Sequence, residues 1–390
     1  MNILHITREQ DNDARYGIRK SLLPVIEIMK SHGNKVEIFD KKRSDDIHAN
    51  VVENWLIEKY SRMKQKSFGK SDVMAFGVIN ERLTIAQKAA KYAARRNITH
   101  VHCHDPLLGF YYNIFAYIYG STRCWGYTVH SFGRFVKRYI GVDLNNRSLS
   151  NLQKMEERAE KKARWIISPT KSGILEMLRE FNKNIIPQKW HVVPHVAHAA
   201  LQNRDNARKK LGLSKEDKLL LAIGRLDPMK RFSLLLEAVA LIPESYHLQI
   251  IILGEGPEKQ LLISFAKKLK LVNKFEIRTT DSIGEYLSAA DIYVSVSSTE
   301  SFGLASCEAV LAEVPSICTN VGAVPELLGN AVILVDDNRH VIAEQIQKLL
   351  VSRKQRMKLR RQAKIISKKW SDAETIAKSM ENIYLSCNAN

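Results

Sequence analysis

Ala290-Asp291-Ile292-Tyr293-Val294-Ser295-Val296-Ser297-Ser298-Thr299-Glu300-Ser301-Phe302-Gly303-Leu304-Ala305-Ser306-Cys307-Glu308-Ala309 reads as a buried strand that ends in hydroxyl residues and hands over to a helix opening near Gly303. Such a helix start presents free backbone N–H groups and the positive end of its dipole to an anion, and Gly303 lets that anion approach the main chain. Two carboxylates flank the point of approach, Glu300 before the helix and Glu308 within it, with Glu308 roughly 9 Å along the axis from a helix opening at Phe302. Taken alone, Glu300 also fits a helix cap and Glu308 a solvated face, since acids are common near helix starts.

Short apolar runs alternate with longer amphipathic ones on both sides of this stretch, as expected of repeated βα units and a parallel sheet. In the first half strands are expected at 2–6, 35–39, 99–103, 124–129, 165–168 and 190–193. The second half gives 218–222, 249–253, 275–278, 291–296, 316–319 and 331–335. Each half then resembles a complete Rossmann-type unit, which makes the chain an α/β protein. Pro194 to Asn206 is polar and lacks either periodicity, so the linker is placed there. The expected domains are 1–195, joined by a C-terminal helix at 371–390, and 207–370.

At 390 residues, 45% hydrophobic and 26% charged, the chain can bury two cores without metal or disulfide staples. Its five cysteines form no C-x-x-C pair, which argues against a zinc framework or a secreted disulfide scaffold and favours a reducing cytosol. The chain begins directly with an alternating strand rather than a signal peptide, and its most apolar stretch, Phe110 to Tyr119, is about half of what a bilayer requires. Cytoplasmic residence is expected, at most peripheral on the inner face of the plasma membrane. The net charge of +19 is concentrated before position 196, where 33 Lys and Arg stand against 19 Asp and Glu. The partner is then anionic: nucleic acid, an acidic substrate or a lipid surface.

Further chemistry gathers at strand ends. Ile223-Gly224-Arg225-Leu226-Asp227-Pro228-Met229-Lys230 puts two cations on a Gly-containing loop at the carboxyl edge of a sheet, a geometry suited to a diphosphate. Leu253-Gly254-Glu255-Gly256-Pro257 follows the next strand, and Asn320-Val321-Gly322-Ala323-Val324-Pro325-Glu326 another. In the first half, Val101-His102-Cys103-His104-Asp105-Pro106 and Thr128-Val129-His130-Ser131-Phe132-Gly133 both close buried strands.

The nine residues Glu300 to Glu308 resemble the E-x7-E signature of retaining glycosyltransferases of the GT-B fold, in particular glycosyltransferase family 4. The resemblance extends over nearly the whole chain and is more specific in its second half. It implies two Rossmann-like doubly wound parallel-sheet domains facing across a cleft. It also implies a nucleotide-sugar donor, retention of anomeric configuration and no metal cofactor. Glu300 then contacts the donor sugar and Glu308 the ribose. The loop 224–230 resembles the family's G-R-x-x-x-x-K element, making Arg225 and Lys230 the diphosphate clamp that holds charge as the glycosidic bond breaks. Gly254 corresponds to the strand-ending G-x-G beside the nucleotide, and Ser301, Phe302, Gly303 and Leu304 form the approach to the helix. His130, in a T-x-H-x-x-G element, is expected near the donor's anomeric region, and His104 and Asp105 on the acceptor side.

Two departures stand out. Where the family shows paired glycines after the first strand, this chain has Asp11-Asn12-Asp13-Ala14-Arg15-Tyr16-Gly17, with only Gly17 left to admit a phosphate and Arg19 and Lys20 beyond it. Pro194-His195-Val196 replaces the common Pro-Asn-Gly. Asp11-x-Asp13 also matches a short metal-binding pattern, but the cationic clamp already supplies the charge a metal would bring. Lys59 to Lys70 carries five cations and no acid, and together with Arg134, Phe135, Lys137, Arg138 and Tyr139 suggests a surface for anionic headgroups. The expected acceptor is therefore a glycan or lipid-linked saccharide of bacterial envelope polysaccharide or lipopolysaccharide synthesis, with a UDP-sugar as the working guess for the donor. A nucleic-acid-binding protein would share the charge and leave the E-x7-E pair without a role. A sugar-nucleotide epimerase of similar fold would need no acceptor.

Overall fold

The computed structural model describes residues 1–9, 17–46, 58, 73–136 and 146–387. It divides into two compact units, Met1–Val196 with Ser371–Asn390, and Ala197–Trp370.

The first unit runs β1 (Asn2–Ile6), α1 (Ile18–Ser31), β2 (Lys35–Phe39), α2 (Lys41–Asp46), α3 (Val73–Arg95), β3 (His100–Cys103), α4 (Pro106–Tyr119), β4 (Trp125–Thr128), α5 (Asn146–Lys162), β5 (Ile166–Ser168), α6 (Lys171–Glu180) and β6 (Trp190–Val192). Its strands form one parallel sheet in the order β2-β1-β3-β4-β5-β6. Side chains alternate across this sheet. Leu4, Ile6, Val101 and Cys103 enter a core with α3, α4 and α5, whereas Ile3 and Ile167 pack with α1 and the C-terminal helix Ala373–Ser386. Asp105 opens α4 by accepting from Leu108 N at 2.7 Å, with Pro106 in the first turn, where its missing N–H costs nothing. Gly120 ends the helix in the left-handed region, at φ 63°.

The second unit runs α7 (Arg204–Lys210), β7 (Lys218–Ile223), a 3-10 turn at Pro228–Lys230, α8 (Phe232–Ala240), β8 (Leu248–Leu253), α9 (Lys259–Lys268), β9 (Phe275–Arg278), α10 (Ile283–Ala289), β10 (Ile292–Ser295), α11 (Leu304–Leu311), β11 (Ser316–Thr319), α12 (Val324–Leu328), β12 (Val332–Val335), α13 (Arg339–Val351) and α14 (Arg353–Ser367). The C-terminal helix of the first unit is α15. Here the parallel order is β12-β11-β10-β7-β8-β9, so the chain leaves β7 in one direction and returns to its other side at β10. Leu220, Ala222, Ile250, Ile252, Ile292, Val294 and Ile317 fill the core, the near-continuous apolar strands of a sheet covered on both faces. All twelve expected strands are present, and the chain has the expected doubly wound α/β class.

Three expectations are corrected. Arg134 and Phe135 are buried rather than part of a lipid-facing surface. Arg134 bonds the buried Glu156 and the half-exposed Glu157 of α5 at 3.1 Å each and lies over the Phe181 ring, because its guanidinium satisfies the carboxylate that Glu156 directs inward. The rest of that proposed surface, Lys59 to Lys70 with Lys137, Arg138 and Tyr139, lies outside the described residues. Asp105 turns to Leu108 N and to the buried Arg82, at 2.8 Å, so its carboxylate is spent on the fold. Finally, Cys124 and Cys387 are joined by a disulfide that ties the end of α15 to the approach to β4. The pair is 263 residues apart, beyond the reach of any spacing rule.

Candidate functional site

In doubly wound sheets ligands bind beyond the carboxyl ends of the strands where the winding reverses, in the second unit between β7 and β10. The loop after β7 brings Lys230 there, and the loop after β10 brings Glu300. Lys230 Nζ donates to Glu300 Oε1 at 2.5 Å, and Ser297 Oγ donates to the same oxygen at 2.7 Å. The two loops are stitched together behind this pair. Ser298 N donates to Met229 O at 2.8 Å, and Arg231 Nε and Nη2 reach the carbonyls of Val296 and Ser297 at 2.8 and 2.9 Å. Arg225 stands apart, 71% exposed and reaching Asp227 only at 3.9 Å, free to turn toward an anion.

Glycine makes these approaches possible at two places. A Cβ on Gly254 would stand 1.9 Å from the Gly224 carbonyl, so the G-x-G turn after β8 packs directly on the loop that carries Arg225 and Lys230. The glycine requirement at 254 is thus met by chain packing. Gly322, at φ +55°, would place a Cβ 2.0 Å from the Glu300 carbonyl, while Ala323 N donates to that carbonyl at 2.9 Å. Gly303, in the left-handed region at φ 71°, starts α11, and no side chain caps the helix. Its first amides are therefore open to an anion. Leu304 is the first residue of α11 and Ser301 and Phe302 lead into it, Phe302 being buried. Glu308, one turn further on, is only 3% exposed. Lys230, Glu300, Gly303 and the turn at Gly254 thus converge on one strand edge.

In the first unit the corresponding edge is occupied by histidines. His5 on β1 and His102 on β3 are register partners, and both side chains fall on the face covered by α1 and α15. His104 follows β3, His130 follows β4, and His195 follows β6. His5 Nδ1 lies 3.0 Å from His104 Nε2, His104 Nδ1 lies 3.1 Å from His130 Nε2, and His130 Nδ1 lies 3.3 Å from His195 Nε2. Both ring nitrogens of His130 are therefore engaged with other histidines. His102 flanks the row, held by Tyr384 Oη at 2.6 Å and Thr128 Oγ1 at 2.7 Å. Burial lowers the pKa of every member, His5 to about 3 and His195 to about 4, with neighbouring histidines adding to the effect for His102, His104 and His130. The rings are neutral at pH 7.

Gly17 begins α1, and the position an anion would take there is filled by the protein's own Glu9, whose carboxylate accepts from Arg19 N at 2.9 Å. Arg19 is paired to Asp40 at 2.8 Å. Asp11 and Asp13 lie outside the described residues. Among the described residues no group of three or more His, Cys, Asp or Glu side chains is arranged to hold a metal ion, and no helix is long and apolar enough to cross a membrane. Sequence reading missed Ser297, Arg231, Glu9 and the row through His5 and His195. Only His195 left a trace, as a departure from the expected Pro-Asn.

Residues 203–365 match the family described as Glycosyl transferases group 1. Among curated proteins the chain is 30% identical over 122 residues to N-acetyl-alpha-D-glucosaminyl L-malate synthase of Bacillus anthracis, covering 31% of this chain and 32% of that protein. It is 26% identical over 277 residues to alpha-monoglucosyldiacylglycerol synthase of Acholeplasma laidlawii, covering 66% and 68%. The match thus spans about a third of one relative and about two thirds of the other. Among solved structures, Anabaena Alr3699/HepE in complex with UDP-glucose superposes with a TM-score of 0.73 at 16% identity, over 99% of this chain and 100% of that one. The family match falls on the unit that carries Lys230, Glu300 and the open start of α11, and the fold likeness extends over both units. The chain is thus similar to the glycosyl transferases group 1 family through residues 203–365, and its two units have the fold of the solved glucose-nucleotide complex.

Proposed function

We propose that the protein transfers a sugar, with retention, from a nucleotide-sugar to a hydroxyl of a glycan or lipid-linked acceptor in bacterial envelope polysaccharide or lipopolysaccharide synthesis. The observation that carries this reading is the convergence of Lys230, Glu300 and the uncapped α11 at the switch point of the second unit. Arg225, Lys230 and the amides after Gly303 take the diphosphate, whose negative charge grows as the bond to the anomeric carbon breaks. Glu300 holds sugar hydroxyls, and Glu308 is assigned to the ribose. The acceptor hydroxyl forms the new glycosidic bond as its proton and a nucleoside diphosphate are released. Two cations and a helix start already offset the diphosphate charge, so the reaction proceeds without a metal.

The nucleotide of the structural neighbour and the glycolipid product named for one relative support a UDP-sugar and an envelope acceptor. Activity on the cytoplasmic face, at an anionic membrane surface, follows from the same reading and from the charge of the first half. The test is product analysis by NMR after incubation with UDP-sugars, lipid-linked saccharides and chelator. A new glycoside carrying the donor's anomeric configuration is expected. An inverted anomer, or formation only after a divalent ion is restored, would overturn the mechanism. A free epimerised sugar nucleotide would favour the epimerase instead.

A further inference from the structure

The row His5, His104, His130, His195 has a geometry that constrains its protons. Successive ring centroids from His5 to His195 are 5.3, 5.3 and 5.2 Å apart, and the rings are inclined by only 27°, 17° and 12°. With nitrogens about 3 Å apart, these spacings describe rings set edge to edge in nearly one plane, each pointing a nitrogen at the next. Every contact joins Nδ1 of one ring to Nε2 of another, in the same sense along the row.

A neutral imidazole carries one N–H and one bare nitrogen. Each contact needs one proton, since two would collide and none would leave two lone pairs facing each other. If His5 holds its proton on Nδ1, His104 must accept on Nε2 and keep its own proton on Nδ1, and so on to His195. If His5 holds it on Nε2, every other ring must do the same. No mixed arrangement satisfies all three contacts. His5 Nε2 is buried without a partner among the described residues. At the other end Ser21 Oγ lies 3.4 Å from His195 Nδ1, and a hydroxyl there can donate or accept.

We propose that these four histidines share a single tautomer and that His5 and His104 are positioning residues, which fix the tautomer and plane of His130. His195 completes the row from the last strand of the unit, where the resembling family commonly has asparagine. This role builds on the transferase reading, but the tautomer rule concerns the resting protein and stands apart from it.

The first test uses the full-length wild type labelled with 15N-histidine, with no ligand added. Long-range 1H–15N correlations distinguish pyrrole-type from pyridine-type nitrogens in each ring. All four rings are expected to carry the proton on the same nitrogen at pH 7.5. Different tautomers within the row, or rings averaging independently between both, would overturn the proposal. The second test compares wild type with His104→Asn, which interrupts the row at a residue of the first unit. Its kcat is expected to fall by roughly 10–100-fold, the scale of a small misplacement of a reacting group, with the donor KM within about twofold. Unchanged kcat in a folded His104→Asn protein would refute the positioning role. Uniform tautomers in a protein that transfers no sugar would refute the transferase reading alone, whereas mixed tautomers in an active enzyme would refute this inference alone.

Discussion

Lys230 Nζ and Glu300 Oε1 are 2.5 Å apart, joining two loops that leave opposite sides of the point where the second sheet reverses its winding. The pair is partly shielded, with side chains 26% and 11% exposed, so each charge is partly held by the other. A donor brings both partners at once: a diphosphate for the lysine and sugar hydroxyls for the carboxylate. Lys230→Met is therefore expected to lower kcat/KM by roughly 10²–10³-fold, as loss of one transition-state donor does. Lys230→Arg should not restore full activity, because a planar fork does not reproduce a compact ammonium. Steady-state kinetics with saturating acceptor would check both; near wild-type kcat/KM in Lys230→Met would remove the lysine from the clamp.

The Glu300 loop also depends on a glycine. Gly322→Ala adds a methyl 2.0 Å from the Glu300 carbonyl on a backbone already at φ +55°. A destabilisation of about 1–3 kcal/mol is expected from overpacking, together with weaker donor binding. Urea unfolding and nucleotide titration of the variant measure the two effects. Unchanged stability and affinity would mean that the loops separate without cost.

Glu156 makes stability depend on pH in one direction. Burial raises its pKa from 4.5 to about 7, although Arg134 and the Phe135 amide oppose the rise. Because the folded value exceeds the unfolded one, its contribution is fully present below pH 4.5 and is lost as pH rises through about 7. Glu156→Gln should remove that component, so that stability between pH 4.5 and 8 falls less steeply, or rises more, than in wild type. Urea midpoints at both pH values provide the check, and parallel profiles would contradict it.

The histidine row acts in the opposite sense. Its folded pKa values are depressed, so its contribution is fully present above the ordinary 6.5 and is lost as pH falls toward about 4 and 3, the values of His195 and His5. Each proton taken up only by the unfolded chain steepens the loss by about 1.4 kcal/mol per pH unit. In the Glu156→Gln background, where the opposing component is gone, unfolding at pH 5.5 should take up several protons. A pH-stat measurement finding none would show that these histidines titrate in the folded state.

Strands and fold class were legible because buried parallel strands write themselves as short apolar runs, and Ile292–Ser295 or Ser316–Thr319 could hardly be read otherwise. The position of Glu300 was legible from its motif, but its partners were not. Lys230 meets it only because two loops 70 residues apart share a strand edge, whereas Ser297 folds back on it from three residues earlier in the same loop. Arg134 shows the converse error: a cation beside aromatics reads as surface until the carboxylates of Glu156 and Glu157 are found beneath it. Glu9 at the start of α1 and the row from His5 to His195 likewise arise from register and crossover, which no local spacing records.

Whether the second unit handles a nucleotide-sugar is decided by one measurement. Nucleoside diphosphate release should be followed in chelator with UDP-, GDP- and ADP-sugars, with and without lipid-linked saccharides, for wild type and Glu308→Ala. Release that persists in chelator, rises with acceptor and collapses in the variant is the predicted result. Failure of every donor to bind, alongside tight salt-sensitive binding of nucleic acid, would contradict it.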